Sequence, residues 1–275
     1  MDMDEKQRLR EEDLQRLRGL RLMDDDFLGV VFDGNIEATE LLLNIILGRN
    51  DMVVTQVVGQ REIKNQNGRS VRLDIHAVDS DDKQYDIEVQ REDRGAGAQR
   101  ARFNSSMLDT RMLKPGEKFA KLAEGYVIFI TENDVLGKDI SLYHIDRVIK
   151  ETNELFGDGS HIIYVNGAYK NDEEPIGKLM HDFRCIDADD MNYSVLADRV
   201  RYFKESEGGI ETMCRVMEEM RDKAAAEADY KAMMREKRLF AVSLWEDGIR
   251  DIEKIAKLTR LTVEEAREAV GVKSA

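Results

Sequence analysis

Apolar and polar positions change period several times along the chain. Residues 1–22 are charged, with Leu9, Leu14, Leu17 and Leu20 near helical spacing, and predict an amphipathic helix. Residues 36–47 place Ile36, Leu41, Leu43, Ile45 and Leu47 between an acidic start and Gly48, a C-cap residue, and predict a largely buried helix. The period then shortens. Val53, Val54, Val57 and Val58 suggest a strand, and Asn65-Gln66-Asn67-Gly68 a turn. Residues 71–78 alternate, with Val71, Leu73, Ile75 and Ala77 on one face and Arg72, Asp74, His76 and Val78 on the other. After Ser80-Asp81-Asp82 the alternation resumes, Tyr85, Ile87 and Val89 opposing Asp86, Glu88 and Gln90. Two half-buried antiparallel strands joined by a short turn are expected.

A charged loop with Gly95 and Gly97 follows, then a helix over 98–113, ended by Pro115-Gly116. The unbroken apolar run Tyr126-Val127-Ile128-Phe129-Ile130 predicts a strand covered on both faces. The order is helix, three strands, helix, strand. Ser141–Ile149 and His161–Val165 predict further strands, and the pattern is helical from about 176, with a long charged helix or helix pair over 207–240 and a small module over 241–272.

Composition narrows the function classes. The 275 residues suffice for one large or two small domains, and 42% apolar residues suffice for an ordinary core. A net charge of −14 excludes a uniformly basic nucleic-acid coat and disfavours anionic membrane. No segment approaches the roughly 20 apolar residues of a membrane helix. Met1-Asp2-Met3-Asp4-Glu5 lacks the basic and apolar stretches of a secretory signal, so a cytoplasmic protein is expected. Cys185 and Cys214 are expected as free thiols, and no Cys/His cluster completes a zinc site. His144, His161 and His181 show no ligand spacing and are read as structural.

The chemistry concentrates in residues 71–90. If the turn is Ser80-Asp81-Asp82, Asp79 faces Lys83. Counting back sets His76 opposite Asp86, Asp74 opposite Glu88 and Arg72 opposite Gln90. Directly opposed residues share a face with Cβ atoms about 5 Å apart. Two carboxylates so placed repel, and one protonates unless a cation lies between them. Oxygen ligands of this kind suit Mg²⁺ or Mn²⁺. His76 either touches substrate or pairs with Asp86.

Leu-Asp-Ile at 73–75, Ile-Glu-Val-Gln at 87–90 and Arg-Ala-Arg-Phe-Asn-Ser-Ser at 100–106 resemble the PD-(D/E)XK nuclease family transposases, the recombination-promoting nuclease group. Asp26-Phe27 with Val31-Phe32, then Leu41–Leu47, resembles that family's N-terminal stretch, and the resemblance covers roughly residues 20–170. It implies an α/β fold with a restriction-endonuclease-like αβββαβ core and a helical C-terminal extension. The implied division is a charged helix over 1–22, the nuclease-like domain over 23–170, a helical extension over 171–240 and a helix-turn-helix-like tail over 241–275. It implies a metal-dependent nuclease hydrolysing phosphodiester bonds in DNA, with Asp74, Glu88 and the Val89 backbone carbonyl holding Mg²⁺ or Mn²⁺ and Gln90 in the place of a lysine. A further acidic ligand is Asp26, or else Glu40.

Two residues depart from the family pattern: Leu73 stands where a proline precedes the motif aspartate, and Gln90 replaces lysine. An amide has no titratable proton near neutrality, so Gln90 orients a water and cannot be its general base. A catalytically silent nuclease-fold scaffold and a nuclease acting on RNA are the alternative readings.

Residues 91–121 carry eight basic side chains against four acidic ones, a feasible basic rim. Arg102 is the first choice for a phosphate contact, followed by Arg100, Gln99 and Arg72. In the tail, Thr262 with Glu265 forms a capping box. The second helix there offers Glu264, Glu265 and Glu268 against Arg267, which opposes DNA reading and favours packing or self-association, with a homo-oligomer as its consequence.

Overall fold

The computed structural model describes residues 3–63 and 71–272. The turn expected at 65–68 lies outside them, as does the side chain of Arg94 in the basic stretch 91–121. The chain divides into two compact units, Met1–Met213 and Cys214–Ala275.

The first unit opens with α1 (Met3–Gly19), α2 (Asp25–Phe32) and α3 (Ile36–Leu47). Asn35 caps α3 by accepting from the Ala38 N–H, and Gly48 ends it at φ +62°, a left-handed turn that glycine adopts without a Cβ penalty. Then come β1 (Val54–Ile63), β2 (Val71–Asp79), β3 (Gln84–Gln90), α4 (Ala98–Met112) and β4 (Gly125–Thr131). The predicted αβββαβ order is present. β5 (Leu142–Ile145), the two-residue strands β6 (Val148–Ile149) and β7 (Glu154–Leu155), and β8 (Ser160–Asn166) follow.

One six-stranded sheet runs β1-β2-β3-β4-β8-β5. The pairs β1/β2, β2/β3 and β5/β8 are antiparallel, while β3/β4 and β4/β8 are parallel. The parallel step from β3 to β4 requires a crossover, and α4 supplies it. β4 and β8 therefore lie inside the sheet, as the unbroken apolar run of β4 demands. α5 (Pro175–Arg184) packs on α3, and α6 (Ser194–Glu205) on α2 and α3.

Two expectations change. β2 and β3 are buried on both faces rather than half-exposed, because α2 and α4 cover what alternation alone marks as a polar face. The helical extension is not a module of its own: α5 and α6 belong to the first unit, which reaches Met213 inside α7 (Glu207–Glu246). Leu73, in the place of the family proline, is fully buried with Met107 and Leu108 of α4.

In the second unit, α8 (Ile252–Thr259) and α9 (Val263–Val270) form the expected helix-turn-helix shape. The capping box of Thr262 and Glu265 is present. Ile255, Ala256, Leu261 and Ala266 bury against Ala241 together with Leu244 and Trp245 of α7, so the tail is a packed cap on the end of that helix.

The β2–β3 turn fixes the register. Oδ1 of Asp79 accepts from the backbone N–H groups of Asp81 and Lys83, both at 2.9 Å, and the Tyr85 hydroxyl donates to its Oδ2 at 2.8 Å. The Asp79 N–H reaches the Lys83 carbonyl at 3.1 Å. Val78 then faces Gln84, Ala77 Tyr85, His76 Asp86 and Ile75 Ile87. Asp79→Ala strands three donors, one of them on buried Tyr85, and is expected to cost about 2–3 kcal/mol in urea unfolding. Ser80→Ala, at an exposed position of the same turn, is the control and should change stability by less than about 0.5 kcal/mol.

Candidate functional site

The register carried one step past Ile75 and Ile87 brings Asp74 and Glu88 together at the open ends of β2 and β3. Asp74 Oδ2 accepts from the Val89 N–H at 2.9 Å, which ties its carboxylate across the strand pair. Both acids are buried, Glu88 completely. Burial raises the Asp74 pKa to about 8, helped by the neighbouring Glu88 charge. Burial also holds Glu88 well above the carboxylate range, with the Asp86 charge adding and Arg100 opposing.

Asp86 is the residue that sequence reasoning missed as a member of this group. It lies two residues before Glu88 on the same strand face and is completely buried. Asn104 of α4 donates to its Oδ2 at 3.1 Å, and burial pushes its pKa to about 7. Neither Asp86 Oδ1 nor Glu88 Oε1 meets a donor among the described residues. The two carboxyls face each other, and such a contact needs a shared proton or a cation between them. The signal was in the alternation of residues 84–90, which puts Asp86 and Glu88 on one face.

Arg100 supplies the local positive charge. Its guanidinium donates to Glu88 Oε2 at 2.5 Å and to the Gly95 carbonyl at 3.1 Å, and lies over the Phe129 ring at 5.7 Å. A cleft of about 800 Å³ opens beside it, lined by Asp25, Arg72, Asp74, Gln90, Gln99 and Arg100 among others. A Cβ at position 95 would collide with the Gln90 amide, so Gly95 is what allows that amide its place at the cleft.

The other predicted site residues separate. Arg72 lines the cleft and pairs with Asp26 at 3.2 Å. Asp26 also accepts from Gln60 at 3.3 Å, so its carboxylate is engaged beside the cleft, and its neighbour Asp25 lines the cavity. Glu40 is elsewhere, accepting from the Val54 N–H. Arg102 is exposed on α4 and is not among the cleft-lining residues, while Arg100, two positions earlier, is. His76 is buried against Arg61 and Gln84, at 2.7 and 3.0 Å, rather than against Asp86. Its burial lowers its pKa to about 4 and keeps it neutral. Part of the basic rim is spent on ion pairs: Arg91 with Asp24 and Glu132, and Lys121 with Glu117.

The model of the PD-(D/E)XK nuclease family transposases matches residues 33–239, from the start of the turn before α3 through most of α7. The chain belongs to this family. No curated protein and no solved structure matches it. The match includes α5 and α6, which agrees with their place in the first unit, and it begins after Asp25 and Asp26. The mixed six-stranded sheet with its αβββαβ order is the core expected of this nuclease family. Among the described residues no helix is long and apolar enough to cross a membrane.

The donor set fits a hard divalent cation: Asp74 lines an open cleft, and one oxygen each of its buried neighbours Asp86 and Glu88 meets no donor among the described residues. Removing protons from this cluster without supplying a cation costs stability. Asp74 ordinarily titrates at 3.8 and here at about 8, so the folded chain holds the extra proton across that window and stability falls as pH rises through it. His76 acts oppositely, but only below its ordinary 6.5. Between about pH 7 and 8.5 the metal-free melting temperature is therefore expected to drop by about 2–4 °C. Millimolar Mg²⁺ or Mn²⁺ should restore it, and Asp74→Asn should flatten the slope. A melting temperature that rises over this range contradicts the assignment.

Proposed function

We propose that the chain is a divalent-metal-dependent nuclease that hydrolyses phosphodiester bonds in DNA, with Asp74 and Glu88 as the metal-binding pair. The observation that carries this reading is the buried Glu88 carboxylate, with one oxygen lacking a donor, next to cleft-lining Asp74 and Gln90 in a chain of a nuclease family. Mg²⁺ or Mn²⁺ held there supplies positive charge to the phosphoryl oxygens and acidifies water. Asp74 and Glu88 would hold the cation, with the Val89 backbone beside them. Asp86 backs Glu88 from within the core and is held in turn by Asn104. Gln90, kept at the cleft by the absence of a side chain at Gly95, orients a water through its amide and takes no proton from it. Arg100, Arg72 and Gln99 line the route of the phosphate backbone. Arg100 is the phosphate contact of choice: its guanidinium lines the cleft and would be released from Glu88 if a bound cation offset that carboxylate's charge. Asp25 is the candidate for a further acid at the cleft.

The second reading is a nuclease-fold protein that binds DNA and does not cut it. The Arg100–Glu88 ion pair and the amide at position 90 favour it. The family name connects the chain with mobile elements, and hydrolysis is the only reaction the residues here argue for.

A plasmid-nicking assay with Mg²⁺ or Mn²⁺ separates the readings. Asp74→Asn and Glu88→Gln are each expected to reduce cleavage by about 10²-fold or more. Gln90→Lys restores a titratable group and should raise the rate roughly tenfold, with a new pH dependence. A wild-type chain that binds DNA but leaves it intact under either metal supports the second reading. A single-stranded RNA substrate run in parallel distinguishes RNA from DNA as the preferred target.

A further inference from the structure

Away from the cleft, the end of α5 gathers three side chains of metal-ligating type. His181 lies in the last turn of α5 and Cys185 is the residue that caps its end, while Asp182, next to His181, is completely buried. Their ligand atoms all lie within 4.8 Å of one another. Cys185 Sγ is 3.4 Å from His181 Nδ1, and the same Nδ1 is 3.4 Å from Asp182 Oδ1. A tetrahedral zinc ion with ordinary bond lengths separates its sulfur and nitrogen ligands by about 3.6 Å, and its nitrogen and oxygen ligands by about 3.4 Å. The observed spacing already matches these edges.

The cluster is held rigidly. Asp182 Oδ1 accepts from the Asn192 backbone and side chain at 2.7 and 2.9 Å, and its Oδ2 from the Tyr193 N–H at 2.9 Å. The Cys185 N–H bonds back to the His181 carbonyl at 3.0 Å. The loop from 185 to 193 therefore folds over its own helix end. Asp187 and Asp190 in that loop add negative charge around the sulfur. The thiol's environment, burial first and then the charges of Asp182, Asp190 and Asp187, pushes its pKa up to about 11, which is the opposite of what a nucleophilic cysteine needs.

We propose that His181, Asp182 and Cys185 form a second metal site, selective for a borderline-soft divalent ion of the zinc type. The ion pins the end of α5 to the 185–193 loop. Its fourth position is left to water, and the Asn192 amide, 3.1 Å from His181 Nδ1 through its nitrogen, holds the imidazole and Asp182 in place. The site does not depend on the nuclease reading: its sulfur and imidazole ligands differ in kind from the oxygen ligands at Asp74 and Glu88.

Cobalt(II) reports the two sites separately, because only a thiolate ligand produces sulfur-to-cobalt charge-transfer absorption in the near ultraviolet. The full chain, stripped with chelator and kept reduced, should show this absorption at one cobalt per chain, and Zn²⁺ should bleach it. Cys185→Ser should abolish it, and Cys185→Ala should do the same if serine perturbs the fold. His181→Ala should weaken Zn²⁺ binding, measured against a competing chromophoric chelator, about tenfold or more. Cys214→Ser and Asp74→Asn should leave the band intact. Absence of the band in the folded wild-type chain, or its survival in Cys185→Ser, overturns the proposal.

Discussion

The hydrogen-bond set of Asp79 is the constraint on which the site depends. One carboxylate accepts from two backbone N–H groups of the turn and from the Tyr85 hydroxyl, and so sets which residue of β2 faces which residue of β3. A slip of one residue would turn every side chain of one strand to the other face. Asp74 would then point away from Glu88, and the motif residues would still be present with no shared site. The parallel pairing of β3 with β4 locks the other edge of β3, with Glu88 beside Phe129 and Gln90 beside Thr131. A turn at one end and a covered central strand at the other thus hold the two acids in place.

Holding them there is costly. Asp74, Asp86 and Glu88 are three buried carboxyl groups on neighbouring strands, and burial disfavours the charged form of each. Arg100 offsets part of this through its contact with Glu88 Oε2, and Asn104 and the Val89 N–H satisfy one oxygen each on Asp86 and Asp74. Among the described residues, two oxygens are left without donors. A core of this kind is stable with retained protons or with a cation, and an exchange between those two states would couple metal binding to pH. Arg100 stands at the junction, bound to Glu88 on one side and open to the cleft on the other.

Much of this was legible before any coordinates. The turn and the alternation over residues 71–90 led to the register, and the apolar run at 126–130 to the buried strand. Three things were not legible. Alternation reports which residues share a face, not whether that face is covered, so the burial of Asp86 and His76 escaped it. Helix phase near a cap is soft, and a two-residue difference on α4 exchanged Arg102 for Arg100 at the cleft; in the same way Asp25 took the place expected for Asp26. Finally, the boundary between the units falls within one continuous helix, α7, where charge and helical period do not change. The His181, Asp182 and Cys185 cluster was overlooked because a search for cysteines and histidines alone leaves out the aspartate between them.

The central claim is that Asp74 and Glu88 grip one cation. Crystals grown with Mn²⁺ and measured at an anomalous wavelength test it most directly. The account predicts an anomalous peak within bonding distance of both carboxylates, with the Arg100 guanidinium moved off Glu88. A peak bound to only one of them, or none in the cleft with Arg100 still paired to Glu88, contradicts it.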